Sequence, residues 1–294
     1  MTKHQRIQFI EQTAGQWPVK KMCQVLQISE AGYYKYLRQK SKPQKTESLL
    51  ATIYQIIQEE PENANYGVQR IYLSLKNYHG YTGSIRTVYR ICKEHHLLIH
   101  RKRNPKSITR ADKTAEKSEN LIAQNFQADK PNEKWLTDIT EFSIKAGKIY
   151  LSPIIDCLDG MPVSWTIGTS PNAELANTML RNAIATLKPN EKPIVHSDRG
   201  CHYRWPEWIQ IMEEANLTRS MSKKGCSPDN SACEGFFGHL KTEMFYGHNW
   251  DEYSIEEFIQ EINGYMGWYC KDRIKSTLGG LSPLDYRRSI GIAV

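Results

Sequence analysis

The sequence predicts an α/β domain in its second half and an all-α region in its first. Two observations carry this. Apolar residues up to about position 100 recur at three- and four-residue spacing, as on one face of a helix. From about residue 131 three apolar, β-rich runs come first, then a helical stretch, a short buried run and a second helical stretch. The charge divides at the same place. Residues 1–130 hold 22 Lys/Arg and 11 Asp/Glu, whereas residues 131–294 hold 17 and 21. A balance of +11 against −4 suits the first half to a polyanion and the second to cations.

Residues 1–45 read as a helical, helix-turn-helix-like segment. Ile7, Phe9 and Ile10, then Val19, Met22, Cys23, Val25 and Leu26, mark apolar faces. Gln27 and Ile28 form the expected turn, and Ser29 caps the next helix, its hydroxyl accepting an orphan backbone N–H. Tyr33, Tyr34, Lys35 and Arg38 are expected to project from that helix, Lys35 and Arg38 as DNA contacts. A helical hairpin that only packs on a neighbour is the alternative. A short polar linker, 41–46, leads into a second and stronger helix-turn-helix domain, residues 46–100. Leu49, Ile53, Ile56 and Ile57 mark one helix, Tyr66 to Lys76 another, and Ser84 opens a third that runs to His95. Ile85, Val88, Tyr89 and Ile91 are its expected buried stripe. Arg86, Arg90 and Lys93 form its basic face and are the candidate DNA contacts, with a merely solvated face as the alternative.

Residues 101–130 form a basic linker with almost nothing apolar at its start. Arg101, Lys102 and Arg103 suit salt-sensitive, sequence-independent contact with phosphates. Leu121, Ile122 and Phe126 suggest a short anchoring element. Residues 131–294 are the expected α/β core with its C-terminal helix. Strands are expected at Lys134–Phe142, Lys148–Leu158, Val163–Gly168, Ile194–Asp198 and Leu217–Met221. Helices are expected at Ala173–Leu187, Trp205–Ala215, from about Ser227 or Asp229, and from Ser254 to Arg273.

Three acids stand out. Asp138 lies in W-L-T-D-I-T, inside an apolar strand, where an acid is costly unless something binds it. Asp198 ends I-V-H-S-D, where strand gives way to loop and Gly200 permits a tight turn. Glu234 follows after 35 intervening residues, on a helix whose Asn230, Glu234 and Lys241 share one face while Phe236, Phe237, Leu240 and Met244 point to the core. Two acids on strands and one on a helix supply the oxygen donors of a two-metal phosphoryl-transfer site. Lys223 and Lys224 form a basic loop able to hold DNA over it, Asn230 is a further candidate DNA contact, and Arg199 and His202 either touch phosphate or lie on the surface. A hydrogen-bonded core aspartate is the alternative for Asp138, and an exposed helix lysine for Lys241. Glu141, Asp156, Asp159 and Asp229 lie near these motifs, and a four-carboxylate set would favour a ribonuclease H or a junction resolvase.

Other classes find no support. The seven cysteines form no C-x-x-C pair, so a zinc ribbon is not expected and free thiols are. No run reaches the length of a membrane span, and the N-terminus has no apolar signal core. No P-loop implies ATP, and no serine or tyrosine recombinase pattern is evident.

The pieces W-L-T-D-I-T, H-S-D-R-G-C-H-Y, S-M-S-K-K-G, D-N-S-A-C-E-G-F-F-G-H-L-K-T-E and L-S-P-L-D-Y occur in that order. Together they resemble the integrase core of DDE transposases, in the retroviral-integrase superfamily. Within it the chain is similar to the second-reading-frame transposase of bacterial insertion sequences. The resemblance implies a ribonuclease H-like integrase core, a mixed sheet with flanking helices, after an all-α helix-turn-helix region. It implies that the first and fourth strands lie side by side, which brings Asp138 beside Asp198. It implies a Mg²⁺-dependent DNA transposase with Asp138, Asp198 and Glu234 as catalytic residues and ligands of two Mg²⁺ (or Mn²⁺) ions, and Lys241 on DNA near the cut. Implied partners are double-stranded DNA (terminal repeats and target), further copies of the chain, and an upstream-frame helix-turn-helix and leucine-zipper protein or fusion. The implied location is the bacterial cytoplasm and nucleoid. A related nuclease or resolvase without strand transfer, and a DNA-binding protein without catalysis, are the alternatives.

Overall fold

The computed structural model describes residues 1–40, 45–99, 119–223 and 227–292. Arg101, Lys102, Arg103 and Lys224 lie outside the described residues. The chain forms two compact units, residues 1–57 and 58–294.

The first unit holds α1 (Lys3–Thr13), α2 (Val19–Val25), α3 (Glu30–Lys40) and most of α4 (Lys45–Glu59). Thr2 and Gln5 close a capping box at the start of α1. Gln27 takes a left-handed φ of 54° between α2 and α3, and Ser29 Oγ accepts the Gly32 N–H at 3.1 Å, so turn and cap fall where expected. Ile7, Ile10, Met22, Cys23, Ile28 and Tyr33 make the core. Three expectations are corrected. Phe9 is 46% and Val25 78% exposed, and Tyr33 is buried. Ile7 and Ile10 already define the inner face of α1, and Phe9 is rotated off it. Tyr33 turns inward and leaves Tyr34, Lys35 and Arg38 exposed.

The second unit opens with α5 (Val68–Tyr78) and α6 (Ile85–Glu94). Ser84 Oγ accepts the Thr87 N–H at 3.3 Å, which caps α6. Val88, Ile91 and Cys92 are its buried stripe. Ile85 and Tyr89, expected in that stripe, are exposed instead. Tyr89 stands on the outer face among Arg86, Arg90 and Lys93, which are exposed as well.

The sheet comprises β1 (Lys134–Thr137), β2 (Thr140–Ile144), β3 (Gly147–Asp156), β4 (Pro162–Gly168), β5 (Ile194–Ser197) and β6 (Thr218–Met221). β4 pairs with one edge of β3, and β1 and β2 share the other edge, all antiparallel. β5 then pairs parallel with β1, and β6 parallel with β5. This mixed sheet, flanked by helices, is the ribonuclease H-like arrangement. The expected single strand Lys134–Phe142 is interrupted at Asp138 and Ile139. The cause lies on β3. Trp135 pairs with Asp156 and Thr140 with Leu151, one continuous register that sets Asp138 opposite Pro153. The Cys157 N–H donates to the Lys134 carbonyl at 3.0 Å, and strand alternation then assigns the donor for the Asp138 carbonyl to Pro153. Proline has no N–H, so the ladder fails there.

α7 (Ala173–Ile184) and α8 (Pro206–Glu214) pack a core of Trp135, Ile154, Leu180, Val195, Tyr203 and Trp208. α9 (Ser231–Leu240) runs into a π-helical turn, Lys241–Phe245. α10 (Ile255–Lys271), capped by a Ser254–Glu257 capping box, and α11 (Pro283–Ser289) complete the unit. No helix among the described residues is long and apolar enough to cross a membrane.

Candidate active site

Asp138 and Asp198 each stand one residue beyond the end of a strand. Thr137 pairs with Ser197, so the parallel register sets the two aspartates side by side. Adjacent strands lie about 4.8 Å apart. Each acid is steadied by a nearby backbone N–H. Asp138 Oδ1 accepts from Ile139 at 2.8 Å, and Asp198 Oδ1 from Gly200 at 2.7 Å. A Cβ on Gly200 would lie 2.8 Å from Asp198 Oδ1, so a larger residue there would push the carboxylate out of this position. Tyr203, fully buried, puts its hydroxyl 3.5 Å from Thr137 Oγ1.

The third acid arrives on α9. Cys233, Phe236, Phe237 and Leu240 bury one face of that helix and leave Glu234 on the exposed face. Asn230, just before α9, donates its amide to the Thr137 carbonyl at 3.4 Å and so ties the helix start to the end of β1. Asn230 is itself buried, and its Oδ1 has no partner among the described residues. Lys241 is half-buried where α9 meets the π turn, with Nζ 5.5 Å from the centre of the Phe142 ring.

Burial, then the Asp198 charge and then that of Glu234, push the Asp138 carboxyl up to about 7, against the Ile139 N–H and the Lys241 charge. Asp198 is raised as well, chiefly by burial, with the Gly200 N–H, His202 and Arg204 opposing. The pair therefore releases its last proton reluctantly. Burial lowers Lys241, while Glu141 and Asp138 draw it back up. These couplings bring Asp138, Asp198, Glu234 and Lys241 into one electrostatic site. No group of three or more His, Cys, Asp or Glu among the described residues is arranged to hold an ion.

The raised Asp138 carboxyl has a consequence for stability. Between the ordinary value of 3.8 and about 7 the folded state holds a proton that the unfolded state has released. Stability from this group therefore falls as pH rises through that window. Asp138→Asn removes the loss, so its metal-free thermal midpoint should exceed that of the parent protein above pH 7, and the gap should close near pH 4. Equal midpoints at pH 8 would show that the carboxylate is not strained.

The other nearby acids are engaged elsewhere. Glu141 meets Lys148 and Tyr150, Asp156 and Asp159 hold Arg287, and Asp229 accepts from Asn120 and Gln124. Asp229 also takes the Lys223 N–H at 2.8 Å, while the Lys223 side chain is exposed. Arg199 Nε donates to the Ser222 carbonyl at 2.8 Å. His202 packs edge-on to Trp205. His196 lies buried between the Ser220 and Ser222 hydroxyls, at 2.8 and 3.2 Å, and burial lowers its pKa. His196 opens the H-S-D-R-G-C-H-Y piece, but a histidine in an apolar run carries no signal of its partners. The same holds for Glu243, two residues after Lys241, which binds Arg273 through both oxygens at 2.7 and 2.8 Å, Arg70 at 3.1 Å and Tyr265 at 2.8 Å.

The Integrase core domain family matches residues 128–227 and, through a second model of the same description, residues 234–289. The HTH-like domain family matches residues 44–105. Among curated relatives, the chain is 42% identical over 292 residues to the probable transposase for insertion sequence element IS1353 of Shigella flexneri, across 99% of this chain and 56% of that protein. It is 34% identical over 272 residues to the putative transposase InsK for insertion sequence element IS150 of Escherichia coli K12, across 92% of this chain and 94% of the relative. The chain belongs to the insertion-sequence transposases. Within this transposase chain Asp138 and Asp198 fall in the first integrase-core match, and Glu234 opens the second. A chain in the cryoEM structure of the simian T-cell lymphotropic virus intasome in complex with PP2A regulatory subunit B56 gamma overlaps it with a TM-score of 0.44 at 18% identity, covering 72% of this chain and 67% of that one.

Proposed function

We propose that this chain is the DNA transposase of an insertion sequence, cleaving element ends and joining their 3′-OH groups to target DNA by phosphoryl transfer. The observation that carries the reading is the side-by-side setting of Asp138 and Asp198, with Glu234 on a helix tied by Asn230 to the same strand end. The donor set fits divalent metal. It is all hard oxygen, two of its carboxylates are raised by burial, and Mg²⁺ usually takes only one or two carboxylates with water and phosphate completing its shell. Asp138, Asp198 and Glu234 would hold two such ions, Mg²⁺ or Mn²⁺. When bound, the ions would supply activation of the attacking oxygen and stabilisation of the leaving 3′ oxygen. Lys241, beside Asp138, would hold a DNA phosphate at the reacting end. A Cβ added to Gly238, on the Glu234 face, would meet nothing within 4 Å among the described residues, which leaves room for a DNA backbone.

The helical region would supply the grip on terminal repeats, with domains as read from the sequence. Arg199 and Lys223 border the site, while Asn230 would act by holding α9 rather than by touching DNA. Oligomerisation on DNA and an upstream-frame partner follow from the family reading, as does a place at the nucleoid.

Two results test the division of labour. Lys241→Ala should lower strand transfer of a precleaved end by about one to two decades, since a hydrogen bond to a charged group contributes roughly 1.5–3 kcal/mol. Calorimetric Mn²⁺ binding should stay nearly intact, and Lys241→Arg should keep much of the activity. Unchanged joining in Lys241→Ala would return this lysine to a solvent role. Separately, replacing Arg86, Arg90 and Lys93 together with alanine should weaken DNA binding by the full chain. The slope of log K against log salt should flatten by about 0.9 for each phosphate contact removed. An unaltered slope would mean that this face of α6 does not meet DNA.

A further inference from the structure

A second cleft opens on the far side of α9. Its volume is about 380 Å³, and Ala232, Gly235, Phe236 and His239 face it, a helix face roughly opposite that of Glu234. The cleft is walled by Leu136, Ile155 and Phe236 and carries Arg70, Arg273, Lys275, Ser276 and Thr277. Its charges do not balance. Arg70 and Arg273 share the single carboxylate of Glu243. Asp156 also lines the cleft, and with Asp159 it shares the single charge of Arg287, so Arg70, Arg273, Lys275 and Arg287 stand against Glu243, Asp156 and Asp159, a net charge of +1. Lys275 is left with neutral partners, the Asp159 carbonyl at 2.5 Å and the Tyr269 hydroxyl at 3.4 Å. No carboxylate among the described residues pairs with it. Gly160 makes room for this ammonium. Its φ is +69°, and a Cβ there would collide with Lys275 Nζ.

A sequestered ammonium beside two guanidinium groups is unfavourable unless an anion completes the set. Burial first, and then Arg273, lower Lys275 to about 8, against the pull of the Asp159 charge. His239, facing the same group, is lowered by burial and Arg273 too, so it leaves the cation excess to the other three. The cleft also exceeds what a bare oxyanion needs, and its apolar wall suits a sugar or base.

We propose that this cleft binds a phosphate ester of a nucleotide. The phosphate sits on Lys275, Arg273 and the Ser276–Thr277 hydroxyls, and the remainder lies against Phe126, Ala232 and Gly235. The nucleotide is either a unit of a DNA strand or a free mononucleotide, and both present the same group. The inference does not rest on the transposase reading, because the residues belong to the opposite face of α9.

Thymidine 5′-monophosphate and thymidine are the probes, titrated into the full chain at low ionic strength and followed by ligand NMR. The nucleotide should bind saturably and the nucleoside should not. Lys275→Gln and Thr277→Glu should each weaken nucleotide binding at least tenfold. Thr277 is exposed, so Thr277→Glu introduces a repelling carboxylate without opening the fold, and it decides the matter should Lys275→Gln misfold. If both variants also weaken binding of a single-stranded oligonucleotide, the natural ligand is a DNA strand; if oligonucleotide binding is unchanged, it is the free nucleotide. Equal affinity for nucleotide and nucleoside, or nucleotide binding unaltered in Thr277→Glu, would overturn the proposal.

Discussion

Asp138→Asn, Asp198→Asn and Glu234→Gln should each abolish DNA cleavage and strand transfer, by roughly three orders of magnitude or more. Each substitution keeps the side-chain volume and removes the anionic oxygen a divalent ion requires. Metal-derived charge stabilisation amounts to several kcal/mol of the barrier, and every 1.36 kcal/mol is about tenfold in rate. Binding to terminal DNA should survive in all three, because the exposed basic face of α6 is untouched. The measurement is cleavage and joining of labelled element ends in Mg²⁺, beside a gel-shift control. Near-normal cleavage by Glu234→Gln would remove Glu234 from the ligand set.

The largest effect on folding should come from Glu243→Ala. Glu243 is buried, and Arg273, Arg70 and Tyr265 all bond its carboxylate. Deleting it strands two guanidinium groups in a region with no other carboxylate bonded to them among the described residues. Removing one partner of a buried pair costs about 3–5 kcal/mol, which for a unit of this size is a fall in thermal midpoint on the order of 10 °C. Burial alone would raise the Glu243 pKa, but the bonds and charges of Arg273 and Arg70 hold it at about 2. Its folded value lies below the ordinary 4.5, so this stabilisation is complete above about pH 4.5 and disappears as pH falls toward 2. A midpoint within about 2–3 °C of the parent protein at pH 7 would show that the arginines find water or other partners instead.

The order of strands and helices is legible because each core element carries a local pattern. Ile194–Ser197 is short and apolar, and the Ser254 capping box announces α10. What the local pattern omits is information held elsewhere in the chain. The break at Asp138 depends on Pro153, a residue with which it shares no sequence signal. Tyr89 and Tyr33 take the sides opposite to those expected because aromatic residues satisfy either side of a helix, and the partner surface chooses between them. Glu243 closes the D-N-S-A-C-E-G-F-F-G-H-L-K-T-E piece, but its role is not legible there because its partners lie 30 and 173 residues away. An acid in K-T-E-M-F reads like any solvated glutamate until Arg70 and Arg273 are seen around it.

The path from α5 to the π turn bears on how such chains diversify. Arg70 reaches Glu243, Asn65 donates to the Glu243 carbonyl, and Tyr66 bonds the Asp272 carbonyl. The HTH-like match at 44–105 therefore contributes side chains to the interior that supports Lys241 and α9. A recombinant in which this segment is exchanged for that of a distant homologue leaves Glu243 with Arg273 and Tyr265 alone, and loses the bonds to the Glu243 and Asp272 carbonyls, unless residues 65, 66 and 70 travel with it. Shuffling the HTH-like segment between elements is thus constrained by three part-buried contacts, and on the proposed reading of α6 a change to its outer face in place would leave all three intact.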